Sequence, residues 1–187
     1  AVKSVCGIVY PLITFPYISR VLLAENIGKI NFSGSVVSYF SLIASLGIST
    51  YAIRECSKYR NDRKKLGDIA SEILSINICS TFLAYAALGF TLLFARPLDA
   101  YRELIMIQSL NILFSTLGAD WLNSTMEDFR YITLRTTGMQ IVSLILMFLF
   151  VRRPEDYIRY ACISVLSASG ANVINIFYRR RYCRTRL

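Results

Sequence analysis

The strongest constraint on the fold is the confinement of charged residues to short segments of the sequence. The 21 basic and 12 acidic residues leave six uncharged stretches of 16 to 24 residues each. These stretches are 4–19, 30–53, 73–95, 104–119, 136–151 and 160–178. A soluble helix carries charge along one face, whereas a bilayer core about 30 Å thick requires about 20 apolar residues per crossing. The pattern therefore predicts an all-α, polytopic membrane protein.

Six transmembrane helices are expected, in one domain that covers residues 1–187. Their approximate ranges are 4–22, 32–54, 69–95, 103–123, 130–151 and 157–178. The three 16-residue stretches become long enough if Arg20, Asp120 and Arg135 lie at or just inside the interface. A soluble helical bundle is one alternative, and a cleavable signal peptide is the alternative for the first segment, which its two prolines and Arg20 disfavour. The chain begins at Ala1, almost inside its first apolar run, so a fragment is a further interpretation.

The orientation follows from the basic residues between the predicted helices. Fourteen of the 21 Lys and Arg residues fall on one side of the predicted membrane. They lie at Lys3, in 54–65, at Arg130 and Arg135, and in 179–186. Because cytoplasmic loops carry an excess of Lys and Arg, this side is predicted to be cytoplasmic. Both termini then lie in the cytoplasm, as an even number of crossings requires.

The composition also argues against several classes of protein. The net charge of +9 is explained by orientation and by anionic lipid headgroups, and no basic patch interleaved with aromatics indicates nucleic-acid binding. There is no histidine, and the five scattered cysteines show no metal-binding or disulfide spacing. No nucleotide-binding, hydrolase or metalloprotease motif is present. We therefore expect no cofactor, no metal and no enzymatic activity.

Two features of the predicted helices concern packing. Gly34, Ser38, Ser41, Ser45 and Ser49 recur every three or four residues and form one face of small residues. Such a face lets transmembrane backbones approach closely, although a hydrated path along the serines is the alternative. Trp121, near the end of the fourth helix, is expected in the interfacial aromatic belt.

The candidate substrate-binding residues are the charged ones that touch the apolar stretches: Arg20, Arg54, Arg135 and Asp120. An ionisable residue in a membrane span is a functional hypothesis by default, because its insertion at the centre costs about 2.5–3.5 kcal/mol. The alternative is that each side chain extends to the nearer interface. Pro11 and Pro16 are expected to bend the first helix, which gives that helix a reason to open near Arg20.

Three segments carry a resemblance to a known family. They are "PLITFPYISRVLLAENIGKINFSGSVVSYFSLIASLGISTYAIRECSK" (11–58), "DWLNSTMEDFRYITLR" (120–135) and "RRPEDYIRYACISVLSASGANVINIFY" (152–178). Together they resemble the N-terminal half of polysaccharide flippases, which translocate O-antigen and other lipid-linked oligosaccharides. These flippases belong to the superfamily that also contains the multidrug and toxic-compound extruders. That fold has two six-helix lobes around a central cavity, of which this sequence corresponds to the first.

The resemblance implies a function, partners and a location. It implies that an isoprenoid-pyrophosphate-linked oligosaccharide crosses the cytoplasmic membrane of a bacterium or archaeon by rocking of the two lobes. Arg20, then Arg54 and Arg135, would contact the pyrophosphate, since arginine binds phosphate in a bidentate way. Asp120 would pair with an arginine or serve ion coupling. The partners implied are membrane lipids, a second six-helix lobe and other polysaccharide assembly proteins.

Two other functions remain open at this point. The first is a cation-coupled drug or metabolite extruder of the same superfamily, for which acidic residues deep in the membrane are expected. The second is a truncated remnant or scaffold in glycan assembly that transports nothing. A further six-helix segment in the same reading frame would argue against the scaffold.

Overall fold

The computed structural model describes residues 2–60 and 62–178, and in these ranges all regular structure is helical. Side chains are described from residue 7 onward, except those of 61, 177 and 179–187. The eight α-helices of this part are α1 Val2–Val21, α2 Leu23–Ser45, α3 Ile48–Ser57, α4 Arg63–Phe94, α5 Arg102–Gly118, α6 Asp120–Thr125, α7 Phe129–Phe150 and α8 Tyr157–Tyr178. Short 3₁₀ turns at Arg96–Tyr101 and Pro154–Asp156 connect α4 to α5 and α7 to α8.

The helices run back and forth between two ends of a bundle. At the end that carries the 58–65 segment, here the basic end, Arg60 donates to the carbonyl of Met126 at 2.8 Å and pairs with Glu127 at 3.0 Å. At the opposite end, the Tyr17 hydroxyl donates to the carbonyl of Val151 at 2.8 Å. The Asn26 amide there donates to the carbonyl of Pro154, also at 2.8 Å. The α3–α4 and α6–α7 connections therefore lie at one end of the bundle, and the α1–α2 and α7–α8 connections lie at the other, as successive crossings in opposite directions require.

Three helical stretches of the described chain are long and apolar enough to cross a membrane, by length and composition. They are Leu23–Ser57, Arg63–Phe94 and Phe129–Phe150. The other three predicted crossings stay predictions, and the tail basic residues that contributed to the orientation lie outside the described residues.

The outer surface of the bundle is apolar. Leu12, Phe82 and Leu134 are 67%, 77% and 76% exposed, and many other large apolar side chains share this exposure. A soluble protein rarely exposes contiguous apolar surface on this scale, whereas a lipid-facing helix requires it. The prediction of an all-α membrane protein is therefore confirmed.

The helix boundaries differ from the predicted ones at the α1–α2 connection. The predicted helices 4–22 and 32–54 leave 23–31 as a connection, but these residues belong to α2, and the chain turns sharply at Leu23, where φ is 62°. Glu25 and Lys29 form an i,i+4 pair at 2.7 Å that supports the helix there. The helical path of α1 continues through Pro11 and Pro16.

Two predicted single helices are each broken near the basic end. The predicted helix 32–54 ends as α2 at Ser45 and resumes as α3, because Leu46 and Gly47 have φ of 39° and 71°. The predicted helix 103–123 is broken at Ala119, where φ is 46°. Positive φ is costly for residues with a side chain, and tertiary packing compensates, since α3 packs on α6 at the two breaks. Trp121, expected at the interface, is instead buried there, at 5% exposure.

The helix α4 begins at Arg63, before the predicted start, and Asp62 caps it. The predicted helix began at 69, but the Asp62 carboxylate accepts hydrogen bonds from the backbone N–H groups of Lys64 and Lys65, both at 3.1 Å. These bonds satisfy donors that have no helical partner.

Replacing Asp62 with alanine is expected to lower the free energy of unfolding by about 1 kcal/mol, because an N-cap bond is lost. Asp62→Asn keeps an acceptor oxygen and is expected to retain most of the stability. Denaturation in detergent followed by far-UV circular dichroism measures both variants. An alanine variant as stable as the unsubstituted protein would contradict the capping role.

Candidate functional site

A buried ion pair lies where α6 meets α7. The Arg135 side chain is 3% exposed, and its Nη2 contacts Asp120 Oδ1 at 2.5 Å. Its Nε and Nη1 groups are buried and have no hydrogen-bond partner among the residues that the structure describes. The guanidinium carbon lies 5.3 Å from the centroid of the Tyr131 ring, within range of a cation–π interaction. The sequence-predicted residues Asp120 and Arg135 are thus in direct contact.

The break at Ala119 positions Asp120 in this pair. Because Ala119 is left-handed, α5 ends and α6 begins at Asp120, which turns this carboxylate toward α7. Asp120 Oδ1 also accepts from Asn123 Nδ2 at 3.1 Å. The same Asn123 group donates to Asn175 Oδ1 at 2.7 Å, and Asn175 donates to the carbonyl of Gly118 at 2.5 Å. Asn175 thereby satisfies a carbonyl that the end of α5 leaves without a helical partner.

An aromatic pair extends this cluster to the end of α8. The rings of Tyr131 and Tyr178 stack at a centroid distance of 3.5 Å and an interplanar angle of 11°. The Tyr178 hydroxyl donates to Asp128 Oδ2 at 3.0 Å. The ion pair, the two asparagines and the two tyrosines therefore join α6, α7 and α8 at the basic end.

The structure does not bring Arg20 and Arg54 to this pair. Arg20 is exposed in the last turn of α1, at the opposite end of the bundle. Arg54 is exposed in the last turn of α3, at the basic end, with its guanidinium carbon 6.0 Å from the centroid of the Tyr51 ring. Their roles as substrate contacts stay predictions, as does that of Arg135, which is enclosed in this conformation.

A large cleft lies between α1, α2, α5 and α8 and has a volume of about 730 Å³. Among the described residues, no charged side chain lines it. Amides and hydroxyls from α2, α5 and α8 supply its polar groups, beside apolar and aromatic groups. The polar residues include Asn31, Ser35, Ser38, Gln108, Asn111, Tyr160 and Ser164. The cleft can therefore hydrogen-bond a neutral polar ligand and pack against apolar parts of it.

Hydrogen bonds hold two of the amides in place. Gln108, 7% exposed, donates from Nε2 to the carbonyl of Ile30 at 3.0 Å. The side chain of Asn111 accepts a hydrogen bond from Ser169. Asn31 is instead exposed within the cleft, and its side chain is available to a ligand.

Reasoning from charge alone did not identify these amide residues as part of a site. A signal was present, because Gln108, Asn111 and Asn77 stand inside uncharged stretches predicted to cross the membrane. A polar side chain there needs a hydrogen-bond partner or a cavity. The small-residue face of α2 has a similar outcome, since Gly34 and Ser38 line the large cleft. Gly34 also lies against Gln108, as close packing of that face predicts. A hydrated path along the serines stays a prediction.

Comparisons with known proteins agree with this architecture. The sequence matches the family described as "Polysaccharide biosynthesis protein" over residues 3–187. A relative from Shigella dysenteriae, described as a candidate O-antigen transporter, is 23% identical over 92% of this chain and 43% of its own length. A relative from Escherichia coli K12 with the same description is 22% identical over 88% of this chain and 39% of its own length.

The chain spans less than half the length of these curated relatives. No solved structure matches the sequence significantly. The resemblance identified from the three segments is nevertheless confirmed, since the family match covers nearly every residue. This chain belongs to the polysaccharide biosynthesis protein family.

Proposed function

We propose that this chain forms one lobe of a transporter that moves a lipid-linked oligosaccharide across the cytoplasmic membrane, with its termini on the cytoplasmic side. Family membership and the description of two relatives as O-antigen transporters support a role in polysaccharide export. The observation that carries the proposal is the cleft of neutral hydrogen-bonding groups inside a bundle whose exterior is apolar.

The chemistry of the cleft suits the sugar part of such a substrate. Sugar hydroxyls both donate and accept hydrogen bonds, which amide and hydroxyl side chains match in both directions. Tyr10 and Phe15 add aromatic surface for the apolar faces of sugar rings. A cleft of about 730 Å³ lies within the range of about 300–1,000 Å³ typical of ligand sites.

The charged part of the substrate would be held elsewhere. Arg20 and Arg54 are exposed at opposite ends of the bundle, so they would meet a pyrophosphate at different stages of transport. A second lobe would complete the cavity, and transport would proceed by alternating access of the two lobes. No covalent bond is made or broken in this process.

Removing two polar groups from the cleft tests this proposal. Asn31→Leu together with Tyr160→Phe is expected to reduce transport about tenfold, since each lost hydrogen bond costs about 0.5–1.5 kcal/mol. Among the described residues, neither side chain makes a hydrogen bond that the change would break; phenylalanine lacks only the hydroxyl of tyrosine, and leucine has the branched shape of asparagine without its polar atoms. The chain would be joined to the second half of the Escherichia coli relative and expressed in cells that lack their own O-antigen transporter.

The assay measures surface polysaccharide and the lipid-linked precursor in the inner leaflet. Gln140→Leu, a change of an amide on α7 outside the cleft, is the matched control and should leave both quantities unchanged. If the hybrid restores surface polysaccharide and the cleft variant restores just as much, the role of the cleft is contradicted. If a correctly folded hybrid restores no surface polysaccharide, the transport function itself is contradicted.

A further inference from the structure

An apolar groove lies on the outer surface of the bundle, between the second half of α4 and α5. Its volume is about 690 Å³, within the range of about 300–1,000 Å³ typical of ligand sites. One wall runs from Tyr85 to Leu93 on α4, and the other from Arg102 to Leu113 on α5. Leu93 and Met106 in these walls are 73% and 56% exposed. The α4–α5 groove is therefore open on the side where the bundle meets lipid.

The polar groups inside the α4–α5 groove are already engaged. The Tyr85 hydroxyl donates to the carbonyl of Ser109 at 2.7 Å, and the Ser109 hydroxyl donates to the carbonyl of Met106 at 2.7 Å. Apart from these two residues and Arg102, the described lining is apolar. A polar ligand would lose its hydrogen bonds to water there, whereas an alkyl chain gains from the burial of apolar surface.

A single positive charge stands at one end of the α4–α5 groove. Arg102, the first residue of α5, is exposed and is the one charged residue of the described lining. Asp99 and Glu103 are close to it in the sequence, but Arg102 makes no ion pair with a described residue. Its guanidinium can therefore donate two parallel hydrogen bonds to the oxygens of a phosphate group.

The length of the α4–α5 groove matches one leaflet of a membrane. From Arg102 to Leu113, α5 rises by roughly 16 Å at about 1.5 Å per residue. This length is about half of a bilayer core about 30 Å thick. Arg102 follows the 3₁₀ turn that begins directly after α4, a helix long and apolar enough to cross a membrane. The charge thus lies at the level of the headgroups, and the apolar walls extend over one layer of acyl chains.

From this geometry we infer that the α4–α5 groove binds one anionic phospholipid of the leaflet opposite the basic end. An acyl chain lies along the groove, and the lipid phosphate contacts Arg102. Charge complementarity selects this occupant, because an exposed guanidinium without a carboxylate partner favours a headgroup with net negative charge. The bound lipid bridges α4 and α5, so it stabilises the folded protein by mass action. This site does not depend on the transport proposal.

Gly89 allows the α4–α5 groove to be filled without a clash at the first added atom. It lines the groove on α4, and a Cβ there would meet nothing within 4 Å. Gly89→Leu places an alkyl side chain where the acyl chain would lie, and it removes a glycine from a helix interior, which favours the helix. Gly138→Leu on α7 is the matched control, since a Cβ there also meets nothing within 4 Å and lies outside the groove.

Thermal unfolding of the purified protein in a neutral detergent measures the binding. Phosphatidylglycerol is expected to raise the unfolding temperature by about 2–4 °C at saturation. Phosphatidylcholine with the same acyl chains should raise it much less. Gly89→Leu should abolish the shift, whereas Gly138→Leu should retain it. Native mass spectrometry should show one phosphatidylglycerol retained per chain, and none in Gly89→Leu.

Two arginine variants test the charge separately from the apolar walls. Arg102→Gln is expected to raise the half-saturating concentration of phosphatidylglycerol about tenfold, because charge-assisted hydrogen bonds are lost. Arg96→Gln should leave it unchanged, since Arg96 is exposed in the adjoining turn but does not line the groove. If Gly89→Leu fails to fold by circular dichroism, this pair of variants decides the result.

Three results would overturn the site. The first is an equal shift with phosphatidylcholine, or a shift with phosphatidylglycerol that persists in Gly89→Leu. The second is an equal weakening by Arg96→Gln and Arg102→Gln, which would indicate attraction to surface charge in general. The third is a dimer that dissociates in Gly89→Leu without any lipid shift in the unsubstituted protein, which would assign the groove to a second copy of the chain.

Discussion

Replacing Asp120 with alanine is expected to lower the free energy of unfolding by about 3 kcal/mol. The change leaves the Arg135 guanidinium, 3% exposed, without its carboxylate partner. Breaking a buried pair by removing one partner costs about 3–5 kcal/mol, because the remaining charge stays desolvated. We expect a loss at the lower end of this range, because the Asp120 side chain is 41% exposed and the pair is therefore partly solvated. Denaturant titration in detergent measures the loss.

Two comparisons separate the stranded charge from other effects of the substitution. The double variant Asp120→Ala, Arg135→Met removes both charges and should recover most of the loss. Glu25→Ala breaks the Glu25–Lys29 pair, in which the glutamate side chain is 80% exposed. That change should cost far less stability than the loss of Asp120, because an exposed pair is screened by solvent. If Asp120→Ala is no more destabilising than Glu25→Ala, the buried pair does not contribute as inferred.

Replacing Gly118 with alanine is the second large expected effect, with a loss of about 2 kcal/mol. A Cβ at this position would lie 2.5 Å from Asn172 Cβ and 3.1 Å from Asn172 Cα. Because these atoms belong to the α8 backbone or are fixed to it, α5 and α8 must separate, and overpacking of this kind costs about 1–3 kcal/mol. The separation also weakens the hydrogen bond from Asn175 to the Gly118 carbonyl.

Two other glycines are matched controls for this prediction. At Gly170 the nearest contact of a Cβ is Met139 Cε, the flexible tip of a side chain, so Gly170→Ala should cost less than Gly118→Ala. At Gly138, within α7, a Cβ would meet nothing within 4 Å. Gly138→Ala should therefore stabilise the helix, by up to about 1 kcal/mol. Thermal unfolding of the three variants tests the order, and equal stability of all three would contradict the close approach of α5 and α8.

The candidate site was only partly predictable from the sequence. Charges at the edges of apolar stretches identified Asp120 and Arg135, because an ionisable residue there is costly and needs a partner. Asp120 was expected to pair with an arginine or to serve ion coupling, but the sequence did not show which arginine. The contact with Arg135 depends on a left-handed residue at Ala119 that no local motif requires. Arg20 and Arg54 satisfied the same sequence criterion but lie away from the pair.

The neutral groups of the two cavities illustrate the same limit. Asn31 and Gln108 stand far apart in the sequence and share a cleft because α2 packs on α5. Asn77 of α4 and Asp120 of α6 line a second, smaller pocket of about 70 Å³ at the two helix breaks. Neither arrangement follows from hydropathy, which depends on single residues and not on which helices are neighbours.

The sequence by itself determined the class of the protein and the location of most helices. The segregation of charge from long apolar stretches is a local property, and the cost of placing charge in lipid acts on each segment separately. Tertiary structure alone decided where α2 and α5 stop. Leu46 and Ala119 have no intrinsic preference for positive φ, and only the packing of α3 against α6 compensates for that conformation. The ion pair and the small oxygen-lined pocket exist because the two breaks meet.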